Sequence, residues 1–318
     1  MKNKQVLLTA LLCLGLFSAS AFSESFTFVA LGDVPYGPDA TAGARYRKLI
    51  TEINQLKPSF SIHVGDFKDG HSICSDQVFA LQKKYFDSFE SAIIYTPGDN
   101  EWTDCNRLSN GSYDPLERLE KLRTLFFRPD LSLGQAPIAL TNQPRTMPRF
   151  STYVENQRWQ QSKTLFVTVH IVGSNNRFDP VDPHAQAEFL ARDSANIAWI
   201  KDAFELAHDQ DFASIVFAFQ ADVLRQDVSD VKQALLAGFE TSIGETLLPE
   251  AAKFKKPVLI IHGDSHRFRF DQIFSVDVKD LNNVYRLEVP GDKVIGAVVV
   301  KVDERAAQPF TAQEITVQ

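Results

Sequence analysis

The chain has 318 residues, 23% of them charged and 44% hydrophobic, and a formal net charge of -7. An acidic chain with no Lys/Arg cluster argues against general nucleic-acid binding, which needs concentrated positive charge to meet phosphates. Its length is enough to bury a full core and reads as one large domain, or one domain with insertions.

Lys2 and Lys4, the apolar run from Val6 to Phe17 and the small residues Ala19-Ser20-Ala21 read as a secretory signal peptide over residues 1–23, cleaved after Ala21 or Ser23. That run is too short to span a membrane, and no later stretch is long and apolar enough to do so. Cys13 lies inside the run, a poor place for lipoprotein cleavage, so export to the periplasm or the extracellular medium is expected. Losing the segment takes the net charge to about -9. The mature domain, residues 24–318, keeps Cys74 and Cys105. In an oxidising compartment such a pair reads as a disulfide, with two free buried thiols as the alternative.

In chain order, Phe26 to Leu31 is a β-branched and aromatic run that ends in Gly32-Asp33-Val34-Pro35-Tyr36-Gly37, a strand followed by a turn. Arg45 to Leu56 has helical spacing, and the strand after Pro58 ends in Ser61-Ile-His-Val-Gly-Asp66-Phe-Lys-Asp69. A second helix places Val78, Leu81, Tyr85, Phe86 and Phe89 on one face. Ala92 to Tyr95 is a third strand, running into Thr96-Pro-Gly-Asp99-Asn100-Glu101-Trp102. Asp114-Pro115 starts a helix with a cap and an N1 proline. Residues 128–150 carry four prolines and little periodicity. They read as an irregular insertion, either a lid or rim over a site or a disordered decoration.

Leu165 to Val172 is a strong strand leading to Gly173-Ser-Asn-Asn-Arg177. Ala185 to His208 is a long amphipathic helix, followed by a strand from Ile215 to Phe219 that ends at Gln220. A further helix is expected over about Val231 to Leu248, and then a strand from Val258 to Ile261 that enters His262-Gly-Asp264-Ser-His266. The tail reads as short antiparallel strands (Tyr285 to Val289, Ile295 to Val302) closing a second sheet. Alternation of strand and helix indicates parallel βαβ units, which bring the strand-end acids to one edge.

The ordered set of Asp33 in a Gly-Asp turn, Gly65-Asp66-x-x-Asp69, Pro97-Gly-Asp-Asn-Glu101 and Gly263-Asp-Ser-His266 resembles the calcineurin-like metallophosphoesterases over about residues 25 to 270. Their motifs are D-x-H, G-D-x-x-D, G-N-H-E/D, a lone histidine after a later strand, and G-H-x-H, in that order. The resemblance implies an α/β fold, a four-layer αββα metallophosphoesterase sandwich. It also implies a dinuclear metal centre at the carboxyl edge of the sheets and hydrolysis of a small phosphorylated substrate. The cofactors would be divalent metal ions, two of Mn, Mg, Fe, Zn or Ca. Such ions share a carboxylate and clamp the phosphate oxygens during in-line attack.

Carried over position by position, Asp66 would bridge both ions, and Asp33, Asp66 and His266 would hold the first, with Tyr36 as a further ligand comparable to the tyrosine of purple acid phosphatases. A packing or stacking role for Tyr36 is the alternative. Asp99, Gln220 and Asp264 would form the second site, where the family has an asparagine and two histidines. Trading imidazoles for oxygen donors moves that site from zinc-like chemistry towards Mg, Mn or Ca.

The family's acid histidine is replaced by Asn100, which donates a hydrogen bond to substrate but delivers no proton near neutral pH. His262 is the candidate substitute, although a histidine at a strand end also reads as structural. Arg177 and Arg267 are candidates for binding phosphate oxygens, with solvated surface arginines as the alternative. Asp69 completes the pattern but reads as a turn residue rather than a ligand. With the usual histidines replaced, a degenerate protein that binds metal or a phosphorylated ligand without turnover is the rival reading. The sequence does not fix the oligomeric state.

Overall fold

In the computed structural model, which describes residues 25–224, 235–272, 274 and 281–317, the chain builds two mixed sheets. The expected signal peptide lies outside these residues. The first sheet has the order β12-β11-β1-β2-β3, from Phe310–Thr316 (β12), Gly296–Val302 (β11), Phe26–Leu31 (β1), Phe60–His63 (β2) and Ala92–Tyr95 (β3). Here β1, β2 and β3 run parallel, while β11 pairs with β1 in antiparallel fashion. The second sheet has the order β4-β5-β6-β7-β8-β10-β9. Its strands are Thr141–Asn142 (β4), Gln157–Gln161 (β5), Thr164–Thr168 (β6), Ser214–Ala218 (β7), Val258–His262 (β8), Arg269–Asp271 (β9) and Val284–Glu288 (β10). Strands β6, β7, β8 and β10 run parallel. Every residue of β2, β3, β6, β7 and β8 is buried, which is why these segments read as continuous apolar runs rather than as alternating ones.

Three cores stack the layers. Phe28, Phe60, Ile62, Val298, Phe166, Val216 and Leu259 interleave between the two sheets. Helices α1 (Ala44–Leu56), α2 (Asp76–Phe86) and α3 (Pro115–Phe126) cover the outer face of the first sheet through Leu49, Ile53, Phe79, Phe86 and Leu122. Helices α4 (Pro183–Asp209) and α5 (Leu248–Phe254) cover the second through Trp199, Ile200, Ala203, Leu248 and Ala251. The result is the expected αββα order. Helix α3 starts as expected: the Asp114 carboxylate accepts from the N–H groups of Leu116 and Glu117, with Pro115 at the first turn.

Two expectations are corrected. The tail does not close one antiparallel sheet: β10 joins the second sheet in parallel with β8, and β11 and β12 cross to the first. Residues 231–234 of the expected 231–248 helix lie outside the described residues. From Ala237 the chain makes a 3-10 turn and then wide turns over Glu240–Leu247 before α5, where Pro249 lies in the first turn and lacks an N–H. Residues 128–150, expected as a lid or rim or as disordered decoration, pack against both sheets. Leu133 bridges to Ile93 at the open edge of β3, and Thr141–Asn142 pairs with β5. Covering an edge strand in this way removes a template for unwanted pairing.

Cys74 and Cys105 form a disulfide with Cα atoms 5.8 Å apart, joining the chain after β2 to the chain after β3. On the loop-entropy argument, replacing both by alanine should lower unfolding stability by roughly 3–4 kcal/mol, read as a lower urea midpoint together with a steeper slope as the unfolded chain expands. No change in the midpoint would mean that the tie contributes nothing.

Candidate metal centre

Parallel strands place the residues that follow them along one edge, and six junctions meet here: after β1 (Asp33), β2 (Asp66), β3 (Asp99), β6 (Gly173), β7 (Gln220) and β8 (Asp264). One carboxylate oxygen each from Asp66, Asp99 and Asp264 fall within 4.8 Å of one another. Asp33 joins them from the other side, accepting the Asp264 N–H at 3.1 Å while its own N–H donates to the Gly65 carbonyl at 3.0 Å. Asp33, Asp66 and Asp264 all have positive φ (54°, 54° and 77°), a conformation in which aspartate is several-fold enriched over most residues. This left-handed step turns each carboxylate inward at the strand end.

Glycines keep the backbone this close. A Cβ on Gly98 would stand 2.1 Å from Asp66 Oδ1, and one on Gly263 would stand 2.1 Å from Asp33 Oδ2. Glu101, fully buried, locks two of the loops together: its carboxylate accepts from the N–H groups of Asp66 and Gly98 and from the Tyr95 hydroxyl. The buried ammonium of Lys68 donates to the Asn100 carbonyl at 2.7 Å and the Asp69 carbonyl at 2.8 Å. Asp69 itself accepts the His71 N–H and acts as a turn residue.

Asp66 is the most heavily bonded member. Oδ1 accepts from the Asn100 N–H at 3.1 Å, and Oδ2 accepts from Asn100 Nδ2 (2.8 Å), Gln220 Nε2 (3.2 Å) and the Tyr36 hydroxyl (3.2 Å). Burial first, then the charges of Asp99, Glu101, Asp33 and Asp264, hold the Asp66 carboxyl well above the usual range. Burial and then Asp99 and Asp33 do the same to Asp264. Asp33 is also raised by burial, against the opposing effect of His266. Among the described residues no Lys or Arg side chain bonds to any of these four acids. Crowded, largely buried, hard oxygen donors with no Lys or Arg partner and His266 beside Asp33 fit a divalent cation.

The expected site residues fall into two groups. Asp33, Tyr36, Asp66, Asp99, Asn100, Gln220, Asp264 and His266 come together. His266 Nε2 lies 3.5 Å from Asp33 Oδ1, its ring edge-on to Tyr36. Within this group Gln220, Asn100 and Tyr36 all bond to Asp66. Gln220 meets Asp66 with its amide N–H, because its Oε1 accepts the Gly173 N–H at 2.5 Å. Asn100 Nδ2 donates to Asp66 and to the Tyr36 oxygen (3.0 Å). Burial first and then the charges of Asp66 and Asp33 push the Tyr36 phenol well above its ordinary value, and its hydroxyl donates to Asp66 Oδ2 at 3.2 Å.

His262, Arg177 and Arg267 form the second group. The His262 ring is buried, with Nδ1 2.9 Å from the Gly263 carbonyl, and burial lowers its pKa to about 4. The Arg177 guanidinium lies over the Trp102 ring at 5.6 Å and 3.6 Å from Glu188. Arg267 is exposed, its backbone N–H donating to Glu288. None of these three side chains has a described bond to the acids.

Sequence reasoning missed Ser174. The Ser174 hydroxyl donates to Asp99 Oδ2 at 2.7 Å and lies 3.2 Å from Asp104 Oδ1. It sits in a left-handed turn, with positive φ at Ser174, Asn175, Asn176 and Arg177, a run that costs roughly 1–2 kcal/mol per residue. A strand ending in Gly173 was the only signal available, and glycine alone does not reveal four left-handed residues after it.

No protein-family model matches the chain, and no curated protein does so either. Solved structures do match. A dimetal phosphatase from Danio rerio superposes with a TM-score of 0.54 at 10% identity, covering 92% of this chain and 99% of that one. A 5'-nucleotidase from Candida albicans and a purple acid phosphatase from yellow lupin (Lupinus luteus) seeds superpose with a TM-score of 0.47 each, at 11% and 14% identity. Each alignment covers 92% of this chain, which spans about half the length of those two proteins (51% and 54%). The fold is that of the metallophosphoesterases.

Proposed function

We propose that this chain is an exported, metal-dependent phosphoesterase with an oxygen-rich second metal site. The observation that carries the reading is the convergence of buried Asp66 and Asp99 with half-buried Asp264 within 4.8 Å, beside buried Asp33. The likeness to a dimetal phosphatase supports the fold on which such a centre would be built. When bound, paired divalent ions supply Lewis-acid polarisation of a phosphate ester and clamp its oxygens.

The protein's own residues prepare that chemistry by fixing geometry. Asn100, Gln220 and Tyr36 aim four hydrogen bonds at Asp66 and set the direction of its remaining lone pairs. Asp33 and His266 stand as donors for one ion, and Asp99 and Asp264 for the other. Glu101 and Lys68 hold the loops so that no rearrangement is needed on binding.

The test is a panel of phosphomonoesters and diesters with Mn, Mg or Ca. Turnover is expected, and His266→Ala should abolish it; turnover that survives the substitution would contradict this assignment. A second reading, binding without turnover, is favoured by one observation: Asn100 occupies the place of the acid histidine, and its amide is already committed to Asp66 and Tyr36. Cation binding with no hydrolysis of any ester would decide for it.

A further inference from the structure

After β6 the chain enters the left-handed turn from Ser174 to Arg177, and much of the surrounding structure is devoted to holding it. Arg192, wholly buried on α4, donates from Nη1 to the Asn176 side-chain oxygen (2.5 Å) and from Nη2 to the Asn176 carbonyl (2.9 Å). Asn176 Nδ2 donates to the Gly238 carbonyl at 2.9 Å, and Asn175 Oδ1 accepts the Gly238 N–H at 2.9 Å. Strain that is over-determined in this way marks a functional position.

The turn points two features at the acids. Gly173 backs onto them so closely that a Cβ there would stand 2.8 Å from Asp264 Oδ1 and 2.9 Å from Asp99 Oδ2. Next to it, the Ser174 hydroxyl has two acceptors in reach, Asp99 Oδ2 at 2.7 Å and Asp104 Oδ1 at 3.2 Å, and the shorter contact is to Asp99. One of the two oxygens of Asp99 is therefore already engaged before any cation arrives. A carboxylate with one oxygen bonded to a hydroxyl offers its other oxygen to a metal, which favours monodentate ligation.

We infer that Ser174 is a positioning residue that restricts Asp99 to one-oxygen ligation and so tunes the second site towards small octahedral cations, Mg or Mn, over Ca. This rests on the proposed metal centre. The physical basis is coordination. Calcium takes about 6–8 oxygens and uses bidentate carboxylates freely, whereas magnesium demands about six in near-octahedral geometry. Denying the site a bidentate Asp99 withdraws one calcium ligand while leaving the octahedral count intact.

The experiment titrates the mature wild-type chain, Ser174→Ala and Ser174→Thr with MnCl2, MgCl2 and CaCl2, following calorimetric heat and the rise in Tm. Wild type should bind Mn and Mg more tightly than Ca. Ser174→Ala should narrow that preference by about tenfold, chiefly by strengthening Ca, and Ser174→Thr, which keeps the hydroxyl, should restore it. An unchanged affinity ratio in Ser174→Ala, or a wild type that prefers Ca, would overturn the inference while leaving the metal centre standing. Binding of none of the three ions by wild type would overturn both. Ser174→Gly, which accepts the φ of 51° without strain and also lacks the hydroxyl, should narrow the preference equally, so the inference stays testable if Ser174→Ala fails to fold.

Discussion

Asp66→Ala is expected to lose both the rise in Tm that divalent cations give the wild-type chain and phosphoester turnover, the latter by on the order of 10³-fold. One Asp66 oxygen lies within 4.8 Å of Asp99 and Asp264 oxygens, the Tyr36 hydroxyl links Asp66 Oδ2 (3.2 Å) to Asp33 Oδ1 (3.5 Å), and four donors from three residues converge on Asp66. Alanine removes the carboxylate that we propose bridges the two ions. For wild type, a cation at about 100 to 1,000 times its Kd should add roughly 3–4 kcal/mol to unfolding stability, and the variant should gain none of it. A variant that keeps the wild-type response would show that the cation sits elsewhere.

Asp264→Asn carries an expectation of opposite sign for stability. In the metal-free chain the Asp264 carboxyl is pushed well above the usual range, by burial first and then by Asp99 and Asp33. A carboxyl raised on folding binds more protons folded than unfolded. Metal-free stability is therefore highest below the ordinary carboxylate pKa and falls as pH rises from there through the raised value. Asparagine is neutral and accepts the backbone conformation, φ 77°, as readily as aspartate. Its oxygen can keep the Asp222 N–H, now 3.0 Å from Asp264 Oδ2, while its amide N–H faces Asp99 and Asp66. The variant should be more stable than wild type by about 1–2 kcal/mol at neutral pH without metal, roughly 2–4 °C in Tm. It should also show a flatter loss of stability from pH 5 to 8 and a weakened response to Mn. A metal-free variant less stable than wild type would contradict the picture of four acids confined at an electrostatic cost.

The sheet strands were legible because fully buried parallel strands leave unbroken apolar runs, as in Val258–His262, and the glycine-aspartate pairs mark where those runs end. The acid cluster was legible for the same reason, since parallel topology alone sends Asp33, Asp66, Asp99 and Asp264 to one edge. Contacts set by side-chain direction were not legible. Nothing in the sequence says that Gln220 spends its oxygen on Gly173 and presents its N–H to Asp66, or that Asn100 is consumed by Tyr36 and Asp66. His262 looked like a substitute acid because it precedes Gly263; it lies in the last position of β8, and its buried ring has no described bond to the acids. The tail misled because Gly296–Val302 reads as a strand whichever sheet receives it, and only tertiary packing sends it to β1.

Elemental analysis of the mature chain, purified, equilibrated with Mn and freed of unbound ion, tests the central claim most directly. The account predicts two divalent ions per chain in wild type and none in Asp66→Ala. A wild-type chain that retains no divalent ion under these conditions would contradict it.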